Sequence, residues 1–182
     1  DTSYRTRAGA ALAAQLLRQA YFTQLRTEEQ LGYVVGLSYR PLRERPGIVF
    51  VVQSPVADPA TLVDRTYAFL DSRTESVEQM SAEAFEAFKT GLISDLLESP
   101  KNLNARTTRL WGDLQLQELG FDSRQQMADA VAGISQQEAL VILQDIRERL
   151  PAQQLLIYNT GKFDTAPTQG QPIESIRALK AP

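Results

Sequence analysis

The sequence predicts an α+β fold, with helices packed on one face of a mainly antiparallel sheet. Three observations predict it. Long stretches repeat apolar residues every three or four positions, the period of a helix. Two short runs rich in β-branched and aromatic residues flank a loop bounded by Pro and Gly, the pattern of a hairpin. The order of elements (helix, hairpin, several helices, strand) lacks the strand–helix alternation that builds a parallel sheet. A length of 182 residues suits one domain. It is read as a domain over 1–162 and a C-terminal tail over 163–182.

Ala8 to Leu25 reads as the first helix. Leu12, Leu16, Leu17 and Ala20 recur at helical steps, and neither Gly nor Pro interrupts after Gly9. The period then drops to two. Tyr33, Val35, Leu37 and Tyr39 alternate with Val34, Gly36, Ser38 and Arg40, which predicts a strand. The loop PLRERPG leads to a second strand, Ile48 to Ser54, closed by Pro55. Asp58-Pro59 starts a helix, because Asp accepts a backbone N–H and Pro fits the first turn. Its inner face holds Leu62, Thr66, Phe69 and Leu70.

Ser81 starts another helix with Phe85, Phe88, Leu92 and Leu96 on one stripe, stopped by Ser99-Pro100. Asn102 opens the next, with Leu103, Thr107, Leu110, Trp111 and Leu114 expected inward and Gly120 as the C-cap. Ser123 to Ala132 reads as a short helix carrying Met127 and Val131. Ser135-Gln136-Gln137-Glu138 is a capping-box pattern. It opens a last helix with Leu140, Leu143, Ile146 and Leu150, ended by Pro151. Gln153 to Asn159, QQLLIYN, predicts a third strand. TGKFDTAPTQGQP then reads as a surface loop, and Ile173, Ile176 and Leu179 as a short terminal helix docked on the body. Three strands are few for so many apolar helices, so an N-terminal strand or two is expected before Asp1. The start, DTSYRTR, reads as a cut inside a longer chain.

Composition excludes several kinds of function. A 43% hydrophobic share supports a packed core. A net charge of -3 argues against a general electrostatic nucleic-acid binder, so no nucleic acid partner is expected. With no cysteine there are no disulfides and no thiolate metal sites. No apolar run approaches the ~20 residues of a membrane span. The expectation is a soluble protein of a bacterial-type cytoplasm or periplasm. The absence of histidine matters most, since it is the commonest general base near neutral pH and the commonest zinc ligand. No catalytic residue and no metal ligand are assigned within the chain.

The candidate groups each have a plain reading beside a functional one. Arg26 is either a solvated cation at a helix C-terminus, favoured by the macrodipole, or a guanidinium that grips a carbonyl or oxyanion. Tyr33 is either a packed strand-start ring with a wet hydroxyl or a phenolic donor to developing negative charge. Glu28 and Glu29 are adjacent, so their side chains diverge, and a helix-start or loop role is expected rather than an acid/base couple. Arg40, Arg43 and Arg45 make a basic hairpin tip with an edge-protecting or solubilising role. Trp111 is expected in the core and Arg106 and Arg109 on the exposed side of its helix. Phosphate-loop and nucleophile-elbow patterns are absent.

Beyond the residues themselves, FTQLRTEEQLGYVV (Phe22 to Val35) resembles the F-x-x-L-R-T-x-E-Q-L-G-Y segment in the C-terminal half of the pitrilysin/insulin-degrading-enzyme family of zinc metallopeptidases. IVFVVQSP, ATLVDRTYAFL and the stretch from Met80 to Leu114, with its S-P-K-N-L link and Trp-Gly pair, are similar to later segments in the same order. LGFDSRQQ and the helix from Ser135 continue the match. The resemblance covers roughly residues 15 to 160, and IESIRALK looks like the family's C-terminal tail.

What the resemblance implies is a pitrilysin-type half-domain: the last, non-catalytic domain of a zinc metalloendopeptidase whose domains close around a chamber. The family's zinc sits on an H-x-x-E-H helix in another domain, so zinc is expected in the parent enzyme and not here. By motif position, Arg26 and Tyr33 are the residues that contact peptide substrate across the chamber. The implied partners are a peptide substrate and the other domains of the same polypeptide. The alternative is a structural or protein-interaction module of the same fold without peptidase function. An H-x-x-E-H upstream in the full gene separates the two. The alanine-rich first helix departs from the family's Phe-rich one, which bears on packing against neighbours.

Overall fold

A computed structural model of the chain describes residues 2–173 and 175. Its spine is α1 (Tyr4–Phe22), which begins earlier than the apolar pattern because the Ser3 side chain caps it through the Thr6 N–H. α1 is buried nearly all round: Ala8, Ala11, Leu12, Ala14, Leu16, Leu17 and Tyr21 are inside. A helix with so wide an apolar face belongs in a core, and Arg5, Arg18 and Gln19 mark its remaining exposed side. Its alanines therefore do intradomain work. Small residues let neighbours close in, and a Cβ on Gly9 would stand 2.7 Å from Ile142 Cδ1.

Helix α1 runs on into a π-helical turn, Thr23–Glu28, and then into the hairpin β1 (Val34–Tyr39) and β2 (Ile48–Gln53). The strands are antiparallel, with Val35 opposite Val52 and Leu37 opposite Phe50. Alternation puts those four on the face that covers α1, while Val34, Ser38, Val49 and Val51 face outward. The helices α2 (Pro59–Glu78), α3 (Ala82–Leu97), α4 (Leu103–Gln115), α5 (Ser123–Ala132) and α6 (Gln136–Arg149) follow. Asp58, Ser81, Asn102 and Ser135 cap α2, α3, α4 and α6 through their side chains. Only half of the capping box forms at α6. Ser135 accepts from the Glu138 N–H, but the Glu138 carboxylate goes to Arg5 on α1, whose Nε lies 2.8 Å away.

The α+β architecture and the antiparallel sheet are as expected, with three departures. First, residues 153–159 form no strand, so the sheet among the described residues is the two-stranded β1–β2 hairpin. A strand needs a partner edge, and none among the described residues reaches this segment. Second, α4 is turned the other way. Trp111 is 60% exposed and Leu103 78%, while Asp113 is buried and accepts a 2.6 Å bond from the Ser123 hydroxyl of α5. Arg109 is half-buried rather than on an exposed side. Third, α4 stops at Gln115, and Gly120 lies in the turns beyond it; Gln117 (φ 59°) and Phe121 (φ 54°) take the left-handed backbone there. Glu118 in that segment accepts 2.7 Å bonds from Arg7 and from the Tyr4 hydroxyl, tying it to α1. Ile173 lies in irregular chain. The expected terminal helix through Ile176 and Leu179 falls outside the described residues.

Candidate functional site

The corner between α1 and β1 is shaped by a change of helical pitch. The Glu29 N–H reaches back five residues to the Gln24 carbonyl at 2.8 Å, and the Leu31 N–H reaches the Leu25 carbonyl at 2.9 Å. Wide turns of this kind concentrate at functional sites. Gln30, at φ 52°, reverses the chain. Arg26 sits within the wide turn and Tyr33 just after the reversal.

Glu29 locks the turn to α2. Its carboxylate accepts from Arg65 Nε at 2.7 Å, from Arg65 Nη2, and from Gln24 Nε2 at 2.8 Å. The Arg65 hydrogen bonds hold the Glu29 carboxyl below the usual carboxylate range. Glu29 is therefore a clamp at the end of a helix rather than a helix-start residue. Glu28 is exposed and points elsewhere in the sense that it shares none of these bonds.

Gly32 closes the corner. A Cβ there would stand 2.8 Å from the Gln53 carbonyl oxygen and 3.0 Å from Val52 Cγ1. The main chain thus crosses directly against the end of β2. The Tyr33 N–H donates to that same Gln53 carbonyl at 3.1 Å. Beneath, Tyr21 is fully buried, its ring edge-on to Phe50 (5.3 Å) and Phe69 (5.1 Å). Its hydroxyl lies 3.0 Å from Thr66 Oγ1, and burial pushes the phenol up to about 12. One residue thereby joins α1, β2 and α2.

On this frame Arg26 and Tyr33 come together. Arg26 Nη1 donates to the Tyr33 carbonyl oxygen. The guanidinium carbon lies 5.5 Å from the centre of the Phe22 ring, a cation–π distance. Arg26 is exposed and Tyr33 is 55% exposed. Five N–H donors belong to a guanidinium, so most of its donors stay open to an incoming acceptor, beside a phenol that can also donate. The arginines of the hairpin tip are not part of the corner. Arg40, Arg43 and Arg45 are exposed at the hairpin tip, the far end of β1, ~20 Å from Tyr33 by strand rise.

Nothing in this set fits a zinc ion. The chain has neither His nor Cys, and among the described residues no three acidic side chains group as ligands would. Two parts of the corner differ in how far the sequence marks them. An arginine on another helix, 36 residues along, leaves no local signature of its pairing with Glu29. Gly32 does carry one: a lone glycine at a strand start marks a close backbone approach.

A family model described as PQQ synthase PqqF-like, C-terminal lobe domain 4, matches residues 12–111, which include the whole corner. The chain is 32% identical over 138 residues to a nardilysin-like protein of Arabidopsis thaliana, covering 76% of this chain and 14% of that protein. It is 36% identical over 111 residues to human insulin-degrading enzyme, covering 61% of this chain and 11% of that protein. With protease 3 of Escherichia coli strain K12 the identity is 27% over 135 residues, 74% of this chain and 14% of that protein. A crystal structure of pitrilysin is similar at TM-score 0.72 and 26% identity, covering 79% of this chain and 15% of that one. The chain thus spans roughly one seventh of the length of the nardilysin-like relative.

Proposed function

The chain belongs to the PqqF-like C-terminal lobe domain 4 family, a C-terminal region of pitrilysin- and insulin-degrading-enzyme-type metallopeptidases, and from that premise we propose that it is a non-catalytic domain of a pitrilysin-like zinc metalloendopeptidase. On this reading residues 1–162 form a wall of the substrate chamber, with 163–182 as a tail. Arg26 and Tyr33 meet the peptide substrate. The guanidinium and the phenol donate hydrogen bonds to its carbonyl oxygens and to the negative charge that grows on one of them during cleavage. Zinc, which supplies the hydrolytic chemistry when bound, belongs to another domain of the parent polypeptide.

One observation carries the proposal. Two exposed donors are mounted together, one bonded to the main chain of the other, on a corner fixed by the Glu29–Arg65 pair and by Gly32. Donors that are already in place lose little freedom when an acceptor arrives, and this makes preorganised sites effective. The outward apolar side of α4, with Trp111, Leu114 and Leu103 exposed, supports the further reading that other domains of the same polypeptide pack there.

The test is Tyr33→Phe in the full-length enzyme. Peptide turnover is expected to fall ~100- to 1,000-fold with zinc content unchanged, the scale of one lost oxyanion donor. Turnover equal to that of the parent enzyme would reject the role of Tyr33.

A further inference from the structure

The outward face of the hairpin has a gap in its row of side chains. Alternation places Val34, Gly36 and Ser38 of β1 on that face, opposite Gln53, Val51 and Val49 of β2. The three valines are exposed, and Val34 directly follows Tyr33. Gly36 stands in the middle of the face. Its φ is not in the left-handed region, so the backbone does not call for glycine. Crowding does not call for it either, since an added Cβ would meet nothing within 4 Å. Glycine inside a strand weakens it, and one that neither the backbone nor a neighbour requires marks a place where a ligand comes close.

The gap has a defined shape. Residues two apart on one face stand ~6.7 Å from each other, so Val34 and Ser38 bound it along β1 with ~13 Å between them. Val51, opposite Gly36, forms the side wall. The peptide groups of paired strands point along the sheet and not out of its face, so an occupant meets apolar contact on the valines and few backbone partners. We propose that this notch receives one apolar side chain of the peptide substrate, aliphatic or aromatic, and so sets a sequence preference at a fixed distance from the cleaved bond. The inference rests on the reading that Arg26 and Tyr33 grip the peptide. Continuity with that corner names the occupant, because whatever lies against Val34 lies one residue from Tyr33. Gly36 is three residues, ~10 Å, beyond Tyr33 along β1. An extended peptide has almost the same rise, so one that follows β1 presents the favoured side chain about three residues from the carbonyl held at the corner.

Paired peptides test it in the full-length enzyme. The members of a pair differ by Leu against Asn about three residues from the cleaved bond, on one side of it or the other, and kcat/KM is measured for each. Covering part of a leucine supplies discrimination on the order of tenfold, so Leu is expected to be favoured ~10-fold at one of the two places. Gly36→Val fills the notch with a residue that suits a strand. It is expected to bring that ratio within ~2-fold, with the zinc content of the parent and a melting temperature equal to it or higher. Val51→Thr makes the wall polar through its hydroxyl and is expected to reduce the ratio ~3-fold. Should the filled variant be inactive, Val51→Thr decides by the same ratio. A parent enzyme without preference at either place overturns the proposal, as does a ratio that Gly36→Val leaves as it was. A lowered melting temperature with the ratio of the parent overturns it too, and assigns the face to a neighbouring domain. Tyr33→Phe is expected to slow both members of a pair alike, so the ratio separates a failure here from a failure of the Tyr33 role.

Discussion

Gly32→Ala probes how the corner is built. Its φ is not in the left-handed region, so space and not backbone strain excludes a side chain. The added Cβ would lie 2.8 Å from the Gln53 oxygen, 3.0 Å from Val52 Cγ1 and 3.3 Å from Val35 Cγ2. Carbon atoms rest at roughly 3.5–4.0 Å, so the main chain must open by a good part of an ångström. The Gln53 oxygen also accepts from the Tyr33 N–H at 3.1 Å, and it cannot retreat without stretching that bond. Overpacking costs about 1–3 kcal/mol, and a weakened hydrogen bond about 0.5–1.5 kcal/mol. Alanine stiffens the unfolded chain, which offsets about 0.4–1 kcal/mol. The balance is a loss of ~2 kcal/mol. For a chain of this length that lowers Tm by about 4–8 °C. Thermal and urea unfolding followed by far-UV circular dichroism measure it. A variant within ~0.5 kcal/mol of the unsubstituted chain would show that β2 yields freely, and the account of the corner would be wrong.

Two further predictions concern stability and exposure. Arg65 holds the Glu29 carboxyl below its ordinary value of about 4.5, so the folded pKa is below the unfolded one. The stabilisation is then full above the unfolded value and lost as pH falls through the folded one. Glu29→Gln is expected to lower stability by up to about 1 kcal/mol near neutral pH, with the gap narrowing from pH 6 toward pH 3 in urea titrations; a constant gap would place its origin elsewhere. Trp111 is the sole tryptophan and 60% exposed, so acrylamide is expected to quench its fluorescence almost as readily as that of free tryptophan in the 182-residue chain. Shielded emission there would contradict the placement of α4.

What could be read from the residues alone was the chemistry that acts within a few positions. Asp58, Ser81, Asn102 and Ser135 announce helices because a short oxygen side chain satisfies backbone donors two or three residues on. Ser123 to Ala132 and the alternation around Val35 and Leu37 are legible from local apolar spacing instead. The rest depends on partners far along the chain. Periodicity marks an apolar stripe on α4 but not what lies against it, and Trp111 turns out while Asp113 turns in. QQLLIYN has strand composition, yet no neighbouring edge completes it among the described residues. Arg26 and Tyr33 stand out by motif. Their meeting through the Tyr33 carbonyl required the wide turn between them, which has no sequence signature of its own.

Because the Arg26 guanidinium is fastened to the main chain of Tyr33 itself, the pair stands as a two-pronged fork at the start of β1. That bond holds the Arg26 prong against a simple rotamer change. On the proposed reading, a stretched-out ligand whose oxygens recur at peptide spacing engages both prongs, and a bent or very short one engages a single prong. Selectivity for extended ligands over compact ones would then be a property of the mounting, whatever side chains the ligand carries.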